Sequence, residues 1–394
     1  MGVTLEAAMF GCAVLLGLGV LASKASSLLG VPAMLLFMGV GMLAGSDGPG
    51  GIYFDNAAWA QSLGVVALAF ILFAGGMDTE WEQVQGVVRP ALALSTLGVA
   101  ATALLTAAFV KFAFGLGWLE GLLLGSIIAS TDAAAVFGIL RARSVRLNAR
   151  LRALLELESG SNDPMAIFLT IGLVGVLSAG ASSVGDLVMP FLVQMPVGAL
   201  VGYAVGRGGV LVMRRLRLDF EALYHVLSIV IVLLSFSGAA LAGGNGFLAV
   251  YVAGIAYGNG DFHQRKGLRR FHDGIAWLMQ IAMFLTLGLL VFPHQLPGVA
   301  VQGVLIALFL MFVARPIAVG LTLLPFRFGA RESVLVGWFG LRGAVPIVLG
   351  TYPLLAGLPR AQELFNVVFF VVLLSSLAQG TTLAWLARKL GLDS

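Results

Sequence analysis

Long apolar stretches separated by short polar loops run through the whole chain. About 20 apolar residues suffice for a helix to cross a bilayer, and no array of short alternating strands typical of a barrel is present. The pattern therefore predicts an all-α membrane protein with about thirteen transmembrane segments. The predicted segments are residues 5–22, 30–45, 57–76, 90–114, 119–140, 157–180, 187–212, 221–241, 246–258, 274–292, 297–323, 332–354 and 364–387.

Composition agrees with this class. Of the 394 residues, 59% are hydrophobic and only 11% are charged, whereas a soluble domain carries about 25% charged residues. The 52 glycines suit close helix packing and interrupted helices. Cys12 is the only cysteine, which excludes an intrachain disulfide and a cysteine-based metal site, and we expect no cofactor.

Basic residues collect in every second loop, which predicts the orientation in the membrane. These loops hold Lys24, Arg89, Arg141, Arg143, Arg146, Arg150, Arg152, Arg214, Arg215, Arg217, Arg265, Lys266, Arg269, Arg270, Arg327, Arg331, Arg388 and Lys389; the others hold only Lys111 and Arg360. Because cytoplasmic loops are enriched in Lys and Arg, we expect the N-terminus outside and the C-terminus in the cytoplasm. The loops also account for the net charge of +4, so nucleic acid is not an expected partner.

The thirteen segments divide as six, one and six, and the fifth of each six contains an interruption. The fifth segment holds Thr131-Asp132, and the twelfth holds Gly340-Leu341-Arg342-Gly343. Interrupted segments in corresponding halves indicate a transporter site between inverted repeats. We therefore expect one transmembrane domain over residues 1–394, with repeats at 1–183 and 219–394 and a linker helix within 184–218.

The strongest polar cluster begins the sixth segment and reads Glu156-Leu157-Glu158-Ser159-Gly160-Ser161-Asn162-Asp163-Pro164. Ionisable groups at membrane depth cost about 2.5–3.5 kcal/mol each on insertion scales and mark functional sites. On a helix, Glu158 and Asn162 are neighbours four residues apart, as are Ser159 and Asp163. Such a group of oxygen donors suits a hard cation.

Two prolines are expected to free backbone carbonyls in these segments. Pro164 lacks an N–H group, so the carbonyl of Gly160 loses its helical partner, and Pro346 does the same to Arg342. Freed carbonyls beside a carboxylate can serve as cation ligands.

The two arginines within apolar segments need separate interpretations. Arg342 requires an anionic partner at membrane depth. We expect it to pair with Glu158, because Asp163 must stay free to bind and release the transported ion. Arg315 precedes Pro316 in the eleventh segment, and we interpret it as snorkelling or contacting a helix end.

One carboxylate can support an exchange reaction. Removal from water favours the protonated form of a carboxyl group, whereas a nearby cation favours the ionised form. Asp163 can therefore carry a proton or a monovalent cation, but not both. Since Asn162 is neutral, the hypothesis is electroneutral exchange of one cation for one proton.

Two polar residues keep alternative interpretations. Asp132 either contributes to an ion site or only satisfies backbone amides at a helix break. Asn162 either contacts the ion or makes an interhelical hydrogen bond.

Three motifs resemble the monovalent cation:proton antiporter family, specifically the cation:proton antiporter 1 group of NhaP type with its Asn-Asp motif. They are Ser130-Thr131-Asp132, Glu158-Ser159-Gly160-Ser161-Asn162-Asp163-Pro164 and Gly340-Leu341-Arg342-Gly343-Ala344. The residues that follow the central motif look most like the potassium–proton branch, and the likeness covers nearly the whole chain.

The resemblance implies a fold and a cellular role. It implies a homodimer of thirteen-helix protomers in a bacterial inner membrane, each with a dimerisation half, a six-helix core that moves like an elevator, and crossed, unwound helices at segments 5 and 12. It implies a role in pH and cation homeostasis. Potassium–proton members often carry soluble regulatory domains after the last helix; the chain as given stops at Ser394, so we expect none within it.

The resemblance also implies roles for individual residues. Asp163 would carry the ion or the proton, with K+ favoured and Na+ as the alternative. Asp132, Ser159 and the backbone oxygen of Thr131 would complete the monovalent cation site. Asn162 would support the helix crossing, and Glu158 with Arg342 would form a structural ion pair.

Other function classes fit less well. A potassium channel would need a filter such as Thr-Val-Gly-Tyr-Gly, which the chain lacks. An intramembrane enzyme would need a base beside Ser159 or Ser161, and no histidine or lysine lies deep in a segment. A scaffold or receptor would not explain acids at membrane depth.

Overall fold

A computed structural model describes residues 4–29, 31–179, 184–216 and 218–393. Arg217 and residues 180–183, where the first repeat was predicted to end, lie outside this part. The described part contains fifteen helices: α1 (Leu5–Leu29), α2 (Ala33–Ala44), α3 (Ala57–Asp78), α4 (Trp81–Phe114), α5 (Trp118–Ile127), α6 (Ala133–Ala142), α7 (Ala149–Ala179), α8 (Val188–Arg215), α9 (Ala222–Leu241), α10 (Gly246–Gly258), α11 (Arg265–Leu289), α12 (Pro293–Phe326), α13 (Ala330–Trp338), α14 (Ala344–Leu355) and α15 (Ala361–Lys389).

The prediction of an all-α, polytopic membrane protein is confirmed. Nine helices in the described part are long and apolar enough to cross a membrane, and five shorter ones are also apolar. If α5 with α6, and α13 with α14, each make one crossing, the helices give the predicted thirteen crossings. That count stays a prediction.

The interruptions predicted in the fifth and twelfth segments are confirmed as helix breaks. The first separates α5 from α6, and the second separates α13 from α14. The backbone N–H of Asp132 donates to the carbonyl of Leu341 at 2.8 Å. The two breaks therefore lie against each other, so that unwound backbone is buried within the protein rather than exposed to lipid.

The two halves of the chain share a series of local features in the same order. Within α4 and α12, residues Leu94–Gly98 and Leu310–Ala314 form five-residue π-helical turns. The helices that follow, α5 and α13, each start after a glycine whose N–H donates to a glutamate three residues on, Glu120 at 3.1 Å and Glu332 at 2.8 Å. In both halves a helix break comes next.

Two helices begin earlier than their apolar segments predicted. Helix α7 starts at Ala149 instead of 157, and α11 starts at Arg265 instead of 274. Basic residues lower the local hydropathy at both starts, while leucines such as Leu151 and Leu268 are fully buried there. As a result, the polar cluster of the sixth segment lies inside α7 rather than at its beginning.

The helix ends that carry Arg141, Arg214, Arg265 and Arg388 are called the basic face below. Hydrogen bonds join these regions in two pairs. Arg388 Nη2 donates to the carbonyl of Arg143 at 2.7 Å, and Arg214 Nε donates to the carbonyl of Asp261 at 2.6 Å. The orientation predicted from the basic loops would place this face in the cytoplasm.

Candidate functional site

Asp163 lies halfway along α7, partly buried, and faces the first helix break. Its Oδ1 accepts a hydrogen bond from the hydroxyl of Ser130 at 2.8 Å. Ser130 belongs to the residues between α5 and α6 and is buried. The unwound backbone thus brings a hydroxyl group to the carboxylate that the sequence predicts as the ion carrier.

Ser159 joins α7 to the same break. Its hydroxyl donates to the carbonyl of Thr131 at 2.7 Å and accepts from the N–H of Ala133 at 2.9 Å. Buried backbone groups that leave a helix need such partners. The predicted ligands Ser159 and Thr131 O are therefore adjacent, and their contact holds the break together.

Asn162 and Glu158 form a second buried link to the break. Asn162 Nδ2 donates to Thr131 Oγ1 at 2.7 Å and to Glu158 Oε1 at 3.0 Å. The four-residue spacing on α7 places the amide beside the carboxylate, as the helical pattern predicted. Asn162 thus hydrogen-bonds to the helix break and to a residue of its own helix; direct ion contact stays a prediction.

Asp132 occupies the start of α6. Its Oδ1 accepts from the N–H of Ala135 at 3.0 Å, which caps the helix. Its other oxygen faces Gly343 so closely that a Cβ built there would lie 2.2 Å from Oδ2. The capping role is visible in the hydrogen bonds, and Gly343 is the residue that allows the second break to approach the carboxylate.

The predicted ion pair between Glu158 and Arg342 is wrong. Glu158 Oε1 pairs instead with Arg315 Nη2 at 2.8 Å, and both side chains are only 1% exposed. Arg315 is therefore neither snorkelling nor contacting a helix end. It projects from α12 into the protein interior, where it balances a buried charge.

Arg342 finds partners other than a carboxylate. Its Nη1 donates to the carbonyls of Ala129 and Ser130 at 3.0 and 2.8 Å. These carbonyls follow the C-terminal end of α5, which carries the negative end of the helix dipole. A guanidinium group there is stabilised by peptide dipoles, so Glu158 remains available to Arg315.

Residues outside the predicted site complete its framework. The hydroxyl of Ser376 donates to the carbonyl of Arg342 at 3.2 Å, and Ser375 Oγ accepts from the N–H of Arg342 at 3.3 Å. Asn245, which caps α10, donates to the carbonyl of Pro164 at 3.3 Å. These residues could have been noticed in the sequence as isolated polar residues in apolar segments. The sequence does not show which partner each one contacts.

A cavity of about 660 Å³ extends along α6 from the basic face. Arg141 and Arg143 line one end, and Ala134 and Ala135 in the first turn of α6 line the other. The remaining walls come from α1, α2, α3 and α11 and the residues just before α2. The cavity therefore runs from the basic face to the start of α6, where Asp132 caps the helix.

Fold and site together define a polytopic helical membrane protein with a carboxylate-centred polar site at the crossing of two broken helices. The chain belongs to the sodium/hydrogen exchanger family: the family described as "Sodium/hydrogen exchanger, transmembrane" matches residues 13–389. The resemblance drawn from the sequence motifs is thereby confirmed.

Individual relatives cover the chain almost completely. The K(+)/H(+) antiporter NhaP of Alkalimonas amylolytica is 45% identical over 385 residues, which are 96% of this chain and 66% of that protein. The K(+)/H(+) antiporter NhaP2 of Shewanella oneidensis is 44% identical over 95% of this chain and 66% of its own length. The chain thus spans 66% of the length of these relatives.

A solved structure shares the fold. The sodium proton antiporter MjNhaP1 from Methanocaldococcus jannaschii at pH 8 matches with a TM-score of 0.84 at 24% sequence identity, over 98% of this chain and 99% of that one. At this identity the likeness establishes the fold and says nothing about which ion is carried.

Proposed function

We propose that the protein is a secondary antiporter that exchanges protons for a monovalent cation, with Asp163 carrying either one. The observation that carries this proposal is the position of Asp163, which accepts a hydrogen bond from Ser130 at the crossing of two helix breaks. A carboxylate surrounded by hydroxyl and carbonyl oxygens can bind a hard cation or a proton. Membership of a transporter family favours this function over an enzyme.

K+ is the favoured cation, and Na+ is the alternative. Two relatives at 45% and 44% identity are named K(+)/H(+) antiporters. A relative from Synechocystis at 27% identity is named a Na(+)/H(+) antiporter. The cation site would consist of Asp163, Asp132, Ser159 and the backbone oxygen of Thr131, with Asn162 holding the crossing.

The architecture proposed for transport has two inverted repeats, residues 1–183 and 219–394, joined by a linker helix within 184–218. The shared order of π-helical turns, glycine-initiated helices and breaks supports this division. A homodimer in a bacterial inner membrane, with its basic face in the cytoplasm and an elevator-like core, completes the proposal. The cavity at the basic face would then be open to the cytoplasm.

Proteoliposomes containing a lumenal pH dye test this function. We expect external K+ to drive proton efflux, with Na+ and Li+ ranked behind it. A membrane potential of about 100 mV changes the free energy of moving one elementary charge by about 2.3 kcal/mol. One-for-one exchange moves no net charge, so it should run at the same rate with and without that potential. A voltage-dependent transport current would contradict the stoichiometry, and saturable flux that needs no counter-ion would contradict antiport.

A further inference from the structure

Helix α7 carries a second carboxylate on the face that carries Asp163. Glu156 precedes Asp163 by seven residues, which places the two about 20° apart around the helix axis and about 10 Å apart along it. Gly160 lies between them on the same face. Because α7 begins at Ala149 near the basic face, Glu156 lies about midway between that face and Asp163.

Glu156 is partly buried among polar groups from two parts of the chain. Thr79, at the end of α3, lies beside its carboxylate, and the charge of Arg152, four residues earlier on α7, acts on it. The carboxylates of Asp78 and Glu80 are its acidic neighbours. This acid therefore lies in a polar environment linked to the cavity, since Asp78 also lines the cavity wall.

Tyr251 of α10 covers the helix face between the two acids. A Cβ built on Gly160 would lie 2.4 Å from the Tyr251 hydroxyl oxygen, so the ring packs directly against the glycine backbone. Tyr251 is 3% exposed. Because the ring packs against Gly160, which lies between the two acids along α7, the hydroxyl lies at a level between the two carboxylates.

Within the described part of the chain, the Tyr251 hydroxyl has no hydrogen-bond partner. The nearby Thr79 hydroxyl donates its own proton to the carbonyl of Gly75 at 3.1 Å, so it does not donate to Tyr251. A buried polar group without a partner destabilises the folded protein, so it calls for an explanation. Tyr257 on the same helix also has an unpartnered buried hydroxyl, but among the described residues no charged group acts on it.

We propose that Glu156 is a second proton-carrying group of the transport cycle, and that it exchanges protons with Asp163 through the Tyr251 hydroxyl. Since the hydroxyl makes no direct hydrogen bond to either carboxylate among the described residues, each transfer crosses one water molecule. A proton leaves the Glu156 carboxyl group and binds the Tyr251 oxygen while the hydroxyl's own proton moves to Asp163. Tyr251 is unchanged, Glu156 becomes ionised and Asp163 becomes neutral.

The relay gives protons and cations separate final approaches to Asp163, and it rests on the proposed antiport function. The cavity along α6 leads to Asp132, whereas the relay approaches Asp163 along α7. Among the described residues, neither Asp163 nor Tyr251 lines the cavity. A proton delivered through side chains does not have to share the cation's path.

The test compares two transport modes of the purified protein in liposomes. Proton-coupled exchange is recorded with the lumenal dye at saturating K+ across a pH series. Rubidium–potassium exchange without a pH gradient uses the same cation site but needs no proton. We expect Glu156→Gln and Tyr251→Phe to lower the maximum rate of proton-coupled exchange about a hundredfold, with rubidium exchange and the KM for K+ unchanged.

Matched controls separate the relay from a structural role. Tyr257→Phe removes a buried hydroxyl from the same helix without an acidic neighbour, and Asp219→Asn removes an exposed acid between α8 and α9; both should retain wild-type rates. Glu156→Asp should restore part of the proton-coupled rate.

Either of two outcomes overturns the relay: an equal loss of both transport modes, or an unchanged proton-coupled rate in both variants. Failure of Glu156→Gln to fold would leave Tyr251→Phe to decide the question by the same criteria. Absence of both modes in the wild-type protein would instead count against the proposed function.

Discussion

Asp163→Asn protein in liposomes is expected to show no cation-evoked proton flux above that of empty liposomes. Asparagine keeps an oxygen that can accept the Ser130 hydrogen bond, which spans 2.8 Å in the native protein. It cannot bind a proton at physiological pH, and it offers no charge to a cation. The substitution therefore prevents this position from binding either the proton or the cation, while it preserves the local contacts.

The matched control is Asp219→Asn, an exposed carboxylate in the connection between α8 and α9. It should transport at the wild-type rate. Thermal unfolding in detergent establishes that both variants are folded. Wild-type flux from folded Asp163→Asn protein would show that another group carries the ion.

Loss of Arg315 is expected to destabilise the protein by about 3–5 kcal/mol, because it leaves the buried carboxylate of Glu158 without its cationic partner. The pair is separated by 2.8 Å, with both side chains 1% exposed. Arg315→Ala should therefore lower the midpoint of thermal unfolding substantially. The exposed pair of Arg360 and Glu363, whose side chains are 51% and 52% exposed, provides the comparison.

Arg360→Ala should cost at most about 1 kcal/mol, because water and salt screen an exposed pair. The double variant Glu158→Gln with Arg315→Gln should recover part of the stability that Arg315→Ala loses, because it leaves no unpaired charge. If Arg315→Ala unfolds at the same temperature as Arg360→Ala, the assignment of this ion pair is incorrect.

The architecture was predictable because the physics of the bilayer constrains the sequence strongly. Apolar runs of sufficient length predicted helices throughout, and polar or glycine-rich residues in the fifth and twelfth segments predicted the breaks. The start of α7 was not predictable from hydropathy, because Arg150 and Arg152 mask the buried leucines of its first turns. Helix starts of this kind are determined by tertiary packing and capping, as with Asn148, which accepts from the N–H of Leu151 at 2.8 Å.

The members of the site were easier to predict than their pairing. Charge at membrane depth singled out Glu158, Asp163 and Arg342 by their cost alone. Two arginines were available to Glu158, and the choice depends on where the carbonyls of Ala129 and Ser130 point once α5 ends. That is a property of the three-dimensional break, so the sequence could not decide between Arg315 and Arg342.

The central claim is that one carboxylate, Asp163, binds either a cation or a proton. The most direct measurement is the apparent KM for external K+ as external pH is lowered, with the lumenal pH held fixed. Competition for one site predicts that KM rises about tenfold for each pH unit once protons occupy the site, since one unit corresponds to about 1.36 kcal/mol, while the maximum rate is unchanged. A maximum rate that falls with acidification at constant KM would place proton and cation at separate sites and contradict the account.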